Sequence, residues 1–453
     1  MKCHHVFVLG FLGAILVGML LFMLPISSPA HTWMKPMDAL FTSCSAVCIT
    51  GLTVIDVGRD LSLCGQIFLL GLVQIGCLGI MTTGTFLLIM AGNRYVSQAQ
   101  EYSVVNGYGT SGVRSLRHLI VSLVILMAVI EGGGTWALHH FFEAQLADNP
   151  SLPADSATWF RAYFYSVMAF CNAGFGLDAG SLAIFGSYPS ILVVMALLAI
   201  AGGLGFPVMY NLATTQYWRR NFVKRGRWTL NTRVVLFCTV AFLVATYVFF
   251  MILEWKGSLE PFSTGEKFAV GLFQAVTPRT CGFTVVPVTE QHVAMRFVEM
   301  VLMFIGAAPG GAGGGIKVTT FAVFVSAMVA LCRRQRETVM FKRTIMETTV
   351  RDSIVIVMVF AAMVVVGMTV LLISDGSNEA LSFESLLFET VSAVSTTGLS
   401  CGTTTASLST VGRIVLMLCM FGGRLGALAV VLLVSGQESG PTIRYPREEL
   451  VVG

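Results

Sequence analysis

Charge is what this 453-residue sequence has least of: only 11% of its residues are Asp, Glu, Lys or Arg, where soluble domains carry about 25%. Proline is also sparse, at 13 residues. A chain this poor in charge, with 55% hydrophobic residues and a mean hydropathy of +0.79, is not an ordinary soluble enzyme, a disordered chain or a nucleic-acid-binding domain. The 11 cysteines form no CxxC pair, and no Cys/His group has the spacing of a zinc site. Cys44 and Cys48 stand one helical turn apart and read as buried, inert thiols. No cofactor motif is present, and no HExxH or intramembrane His/Asp/Ser constellation supports an enzyme.

What the sequence does contain is long apolar runs. Residues 61–93, 179–218, 234–253 and 353–374 are free of Asp, Glu, Lys and Arg, each long enough for a spanning helix of about 20 residues. Val6 to Leu24 is longer than a signal-peptide core and reads as a first span rather than a cleaved leader. Less clean spans cover Leu119–Phe142 with Glu131, Phe297–Cys332 with Glu299 and Lys317, and Ile414–Gly436 with Arg424. The total is eight. Between the members of each pair lies a shorter, half-apolar segment, at 36–50, 158–173, 264–281 and 380–397. These suit re-entrant helices, which are tolerated only where they line protein or a water-filled cavity.

Charge placement supports this topology. With the N-terminus inside, the inner segments hold 18 basic and 7 acidic residues and the outer segments 8 and 15, for nets of +11 and −7. The basic excess lies on the cytoplasmic side, as expected, and the acidic outer mouth concentrates cations. The loops at 219–233 and 333–351 carry six basic residues each.

The four half-apolar segments resemble one another. They run from Phe41 to Gly51-Leu52, Phe164 to Gly174-Phe175, Phe273 to Gly282-Phe283 and Phe388 to Gly398-Leu399, with ten residues from Phe to Gly in three and nine in the third. The unit is helix, short pore-type helix, glycine turn, helix, used four times. An even number of crossings gives every copy the same orientation, so the copies are related by an axis along the membrane normal. Short helices entering from outside aim their negative C-terminal dipoles inward, which favours a cation. Rings of carbonyls at the glycine turns can then replace its hydration shell.

These motifs, A-V-C-I-T-G-L (46–52), A-F-C-N-A-G-F-G (169–176), R-T-C-G-F (279–283), S-T-T-G-L-S (395–400), Gly306–Lys317 and F-G-G-R-L-G (421–426), resemble the ion-translocating membrane subunits of the Trk/Ktr/HKT superfamily of potassium transporters. The resemblance covers nearly the whole chain. It implies an all-α membrane protein of four parallel helix–pore-helix–helix repeats around a central pore, with eight transmembrane helices plus four re-entrant pore helices. The repeats divide as 1–93, 94–218, 219–340 and 341–453. It further implies a homodimer, each protomer with its own pore, in the bacterial cytoplasmic (inner) membrane among lipid, with both termini cytoplasmic. A cytoplasmic nucleotide-binding regulatory ring of RCK/KTN type is the expected partner, docking on the basic inner loops; nucleic acid is not. Potassium is the only metal implied, as substrate, and no cofactor belongs to this chain. The filter carried over comprises Ile49, Thr50 and Gly51; Asn172, Ala173 and Gly174; Thr280, Cys281 and Gly282; and Thr396, Thr397 and Gly398. Glycine at all four filter positions implies potassium preference. The plainer role for the Asn172 side chain is to buttress the backbone.

The run Gly306-Ala-Ala-Pro309-Gly310-Gly311-Ala-Gly313-Gly314-Gly315-Ile-Lys317 interrupts what would be the second span of the third repeat. It is not a phosphate loop, because Ile316 separates Gly315 from Lys317. A kink is one reading. A mobile gate below the filter is the one the resemblance implies, although Gly311 and Ala312 replace a Ser-Thr pair typical of such loops. Arg424 is the single charge of the last apolar run. Either it pairs with Glu131 or Glu299, or it stands beside the gate as a positive barrier. An ion-coupled secondary transporter is the competing function, but such proteins show inverted repeats and broken helices in matching halves, whereas one helix is clearly interrupted in this sequence.

Overall fold

The computed structural model describes residues 3–79, 116–148, 158–178, 180–214, 228–378, 381–402 and 408–426. Much of the inner basic charge, including Arg94, Arg114, Arg219 to Arg227, Arg444 and Arg447, lies outside the described residues. Among the described residues the regular structure is helical apart from a hairpin of two short strands, β1 (Val339–Met340) with β2 (Arg343–Thr344), paired Val339 to Thr344, and an isolated bridge.

Four short helices occupy the half-apolar segments: α2 (Pro36–Val47), α6 (Thr158–Phe170), α10 (Thr264–Val276) and α14 (Phe383–Ser395). Their starts are written in the sequence. Pro36 supplies a preset φ at the first turn of α2. Ser263 and Glu266 form a capping box on α10, with the Ser263 amide donating to Glu266 Oε2 at 2.7 Å. Ser382 accepts the Ser385 amide at the start of α14. Their ends are also alike. In the first, second and fourth repeats a residue with left-handed backbone follows the last turn: Ile49 (φ 55), Asn172 (φ 53) and Thr396 (φ 51). The next amide reaches back five residues, from Thr50 to Ser45, Ala173 to Met168 and Thr397 to Ser392. This is the Schellman arrangement. The third repeat, one residue shorter, has Thr280 left-handed (φ 68) but closes with a four-residue step from Cys281 to Thr277.

Each short helix is flanked by longer or broken apolar helices. Among the described residues, segments of α5 (Leu116–Asp148), α9 (Leu230–Glu254) and α13 (Glu347–Asp375) are long and apolar enough to cross a membrane. Helix α1 (Cys3–Met23) leads the first repeat. The helices after the glycine turns are shorter: α4 (Leu63–Leu78), α7 (Pro189–Leu204) with α8 (Phe206–Thr214), α11 (Val293–Phe304) with α12 (Val318–Cys332), and α15 (Thr410–Leu425). A four-residue turn of helix, α3 (Val57–Asp60), precedes α4.

The interruption is therefore not confined to the third repeat, as the sequence suggested. Helices α7 and α8 bend by 98° at Gly205. Gly205 (φ 81, ψ 145), Gly79 (φ 77, ψ 139) and Gly426 (φ 81, ψ 146) end their helices with the same dihedrals, a region open in practice only to glycine. Each stands three residues after another glycine, Gly76, Gly202 or Gly423. A Cβ on those would overlap the carbonyls of Val47, Phe170 and Val394, which belong to the last turns of the short helices. A G-x-x-G pair thus both packs the second helix on its own repeat and stops it.

The repeats close on one another. Helix α4 packs on α6, α7 on α10, α11 on α14 and α15 on α2, so each second helix meets the short helix of the next repeat. Two ion pairs reinforce this order: Arg296 to Glu384 at 3.1 Å and Arg413 to Asp38 at 2.8 Å. Each arginine stands four residues after its helix cap, and each acid lies in the first turn of a short helix, where the dipole also favours it. Buried aromatic side chains such as Phe41, Phe164, Phe273 and Phe388 fill the space between layers.

Candidate functional site

The four turn glycines meet at the centre. Gly51 (φ 90), Gly174 (φ 70), Gly282 (φ 79) and Gly398 (φ 88) all have positive φ. A Cβ on Gly51 would lie 2.5 Å from the carbonyl oxygen of Ala173, and one on Gly174 would lie 3.3 Å from that of Cys281. On Gly282 it would overlap the Thr397 carbonyl, and on Gly398 the Thr50 carbonyl. Each glycine therefore abuts the carbonyl preceding the next repeat's glycine, and the series returns from the fourth to the first. Thr50, Ala173, Cys281 and Thr397 are brought together in this ring with the four glycines. No side chain fits between them.

Serines that sequence reasoning did not single out hold the ring from behind. The Gly51 amide donates to Ser45 Oγ and the Gly398 amide to Ser392 Oγ, both at 3.1 Å. In the third repeat the Thr277 hydroxyl at the same place donates to the Phe283 carbonyl at 2.6 Å. The signal for these was available: each lies four residues after the repeat's phenylalanine.

On the side toward which the chain leaves the glycines, a cavity of about 590 Å³ is lined by residues of all four repeats, including Asp56, Asp60, Asp178 and Ser400. Asp56 and Asp60 give it a negative rim, while Asp178 is paired with Arg161 at 2.6 Å. On the opposite side lie the left-handed residues. The side-chain polar atoms of Asn172, Thr280 and Thr396 are buried without a hydrogen-bond partner within the described protein. The Asn172 amide thus forms no buttressing bond to the backbone. Ile49 takes the corresponding place in the first repeat.

The glycine-rich segment sits directly against these residues. A Cβ on Gly313 would overlap the Thr280 hydroxyl, and one on Gly314 would overlap that of Thr396 and stand 3.0 Å from the Ser395 carbonyl. The segment's neck is closed by a parallel bridge between Ile305 and Ile316. Gly306 packs there against the backbone of Gly314 and Gly315. Its other side docks on the break in the second repeat: the Ala308 amide donates to Gly203 O at 3.1 Å, the Ala312 amide to Gly202 O at 3.3 Å, and the Phe206 amide to Gly310 O at 3.1 Å. Gly205 faces Pro309, with a Cβ there placed 2.6 Å from the Pro309 oxygen. The absence of hydroxyls at Gly311 and Ala312 is thus met by backbone partners; a Cβ on Gly311 would stand 3.1 Å from the carbonyls of Ala308 and Gly203.

Two cations hold the same segment. Lys317 Nζ donates to the Gly313 carbonyl at 2.5 Å. Arg424 donates to the Ala312 carbonyl and, through Nη2, to Gly76 O at 2.5 Å. It links α15 to the glycine-rich segment and to the C-terminal end of α4 in the first repeat. Glu131, one of the two acids considered for it, instead accepts from Gln74 Nε2 at 2.9 Å. Cys44 and Cys48 are buried free thiols.

A family model described as TrkH, cation transport protein, matches residues 18–443. The chain belongs to this family of cation transport proteins. It is 34% identical over 452 residues to Ktr system potassium uptake protein B of Vibrio alginolyticus, covering 99% of this chain and 94% of that protein. It is 31% identical to the protein of the same name from Bacillus subtilis, covering 99% and 96%, and 31% identical to the potassium/sodium uptake protein NtpJ of Enterococcus hirae, covering 98% and 96%. The fold is similar to the crystal structure of the potassium transporter TrkH from Vibrio parahaemolyticus, with a TM-score of 0.69 over 94% of this chain and 84% of that one, at 19% identity. The family is one of membrane cation transporters, and the several apolar helices accord with a multi-pass membrane protein.

Proposed function

We propose that the chain conducts potassium through a pore on the axis of the four repeats, with Thr50, Ala173, Cys281 and Thr397 and the glycines beside them as the selectivity filter. The observation that carries this is the closed ring in which each glycine abuts the carbonyl of the next repeat. Only a backbone without side chains brings four sets of carbonyls close enough to replace a hydration shell. The acidic cavity on one side supplies the outer mouth and concentrates cations. The buried polar atoms of Asn172, Thr280 and Thr396 form the inner end, since such groups in native interiors normally meet water or an ion.

Residues 306–317 act as the gate. They press on Thr280 and Thr396 and are held in place by hydrogen bonds that a small shift exchanges for water. Arg424 closes this gate mechanically and opposes a cation electrostatically. Names of relatives such as Ktr system potassium uptake protein B support potassium as substrate and work alongside other Ktr subunits. We place the protein in the bacterial inner membrane, as a homodimer with both termini cytoplasmic, under a nucleotide-binding ring docked on the basic inner face.

The test is uptake of radiolabelled rubidium and sodium into vesicles containing the purified protein with its regulatory partner. Rubidium flux that exceeds sodium flux is expected. Flux of neither ion would sink the reading. Gly51→Ser is expected to lower the rubidium-to-sodium ratio, because its side chain would enter the space held by Ala173 O. An unchanged ratio would show that the ring is not the filter.

A further inference from the structure

One residue after the phenylalanine of each repeat motif stands a fully buried polar side chain: Thr42, Tyr165, Gln274 and Glu389. The four differ in size, charge and chemistry, and share only an oxygen. In three repeats that oxygen reaches an equivalent place. The Tyr165 hydroxyl accepts the Leu177 amide at 3.2 Å. Gln274 Oε1 accepts the Val285 amide at 3.4 Å, the longest of the set. Glu389 Oε1 accepts the Cys401 amide at 3.1 Å. Leu177, Val285 and Cys401 each lie three residues after the ring glycine of their repeat. In the first repeat the side chain is shorter, and the Thr42 hydroxyl donates within its own helix to Asp38 O at 2.8 Å.

Two of the three ties are reinforced. The Tyr165 hydroxyl donates to Asp178 Oδ2 at 2.5 Å, and Asp178 pairs with Arg161 at 2.6 Å. The Ser400 hydroxyl donates to Glu389 Oε1. The segments so held leave the ring outside any helix or sheet ladder, so their amides depend on such partners. A tie three residues from the glycine fixes the direction in which the intervening peptide planes face. Three unlike side chains converging on one equivalent amide indicate a geometric requirement, not a chemical one.

We propose that Tyr165, Gln274 and Glu389 are positioning residues. They touch no ion, but set the angle of the ring carbonyls from behind and so set how sharply the ring distinguishes cations by size; the first repeat lacks this tie through Thr42. The inference rests on the reading of the ring as a filter.

The deciding measurement is the rubidium-to-sodium flux ratio of the full chain in vesicles, with its regulatory partner. Tyr165→Phe keeps the ring packing and removes the hydroxyl that accepts the Leu177 amide and donates to Asp178; loss of the tie to Leu177, about 1 kcal/mol, corresponds to a fall of about fivefold in the ratio. Glu389→Leu is expected to lower it by about tenfold, whereas Glu389→Gln, which keeps Oε1, retains the wild-type ratio. A merely structural role would alter the amount of folded protein and the total flux but leave the ratio alone. Wild-type ratios in Tyr165→Phe and Glu389→Leu, or equal losses in Glu389→Gln and Glu389→Leu, overturn the proposal. Should Glu389→Leu fail to fold, Tyr165→Phe decides. A wild-type chain without selective flux overturns the filter reading itself; selective wild-type flux with unaltered variants overturns only the positioning role.

Discussion

Replacing Arg424 by alanine removes a side chain that bonds both the glycine-rich segment and the C-terminal end of α4, through Ala312 O and Gly76 O. Hydrogen bonds from a charged donor contribute about 1.5–3 kcal/mol each, so the tether lost is about 3–6 kcal/mol before relaxation. The segment does not fall free, because Lys317 still holds Gly313 and the amides of Ala308 and Ala312 still bond the second repeat. The charge matters as well. At an effective dielectric of about 20, a unit positive charge opposes a cation by about 4 kcal/mol at about 4 Å and by about 2 kcal/mol at twice that separation. Its removal is expected to raise rubidium uptake by about ten- to thirtyfold. Arg424→Lys separates the two effects. It keeps the charge but lacks the planar fork needed to reach two carbonyls, so its rate should fall between wild type and Arg424→Ala. Initial uptake rates in vesicles, normalised to folded protein, provide the comparison. Identical rates in all three proteins would refute both the tether and the barrier.

Other perturbations test the same geometry. Gly205→Ala places a side chain against Pro309 O in a backbone region closed to alanine; a loss of about 1–3 kcal/mol is expected, seen as a lower melting temperature in detergent, and an unchanged melt would show that the break is adaptable. Gly314→Ala would push the segment off Thr396, so higher basal uptake is expected in the absence of the regulatory partner, and wild-type basal uptake would count against the segment as gate. Ser392→Ala leaves the Gly398 amide without its 3.1 Å acceptor; about 1 kcal/mol of stability should be lost, together with a lower rubidium-to-sodium ratio, whereas loss of stability alone would separate Ser392 from ion discrimination.

The repeat unit was readable because its markers are rare and evenly placed: a phenylalanine, a fixed interval and a glycine before a large apolar residue. The short helices lie where those markers put them, and Arg424 stood out as one charge in an uncharged run. The helix ends at Gly79, Gly205 and Gly426 were not readable. Inside apolar helices a G-x-x-G pair looks like any close-packing contact, and only the dihedrals show that the second glycine ends the helix. The seat of Gly306–Lys317 on Gly202–Gly205 was hidden because it uses backbone atoms about a hundred residues apart. The role of Tyr165, Gln274 and Glu389 was hidden for the opposite reason: the position recurs, but the residue type does not. Asn172 carried a visible amide, yet its lack of a hydrogen-bond partner among the described residues follows from packing.

The central claim, that the four glycine turns form the ion-selective ring, is tested most directly by anomalous diffraction from crystals grown in rubidium. The account predicts a rubidium peak on the axis, surrounded by the carbonyl oxygens of Thr50, Ala173, Cys281 and Thr397. Rubidium bound elsewhere in the protein, with no peak within that ring, would contradict it.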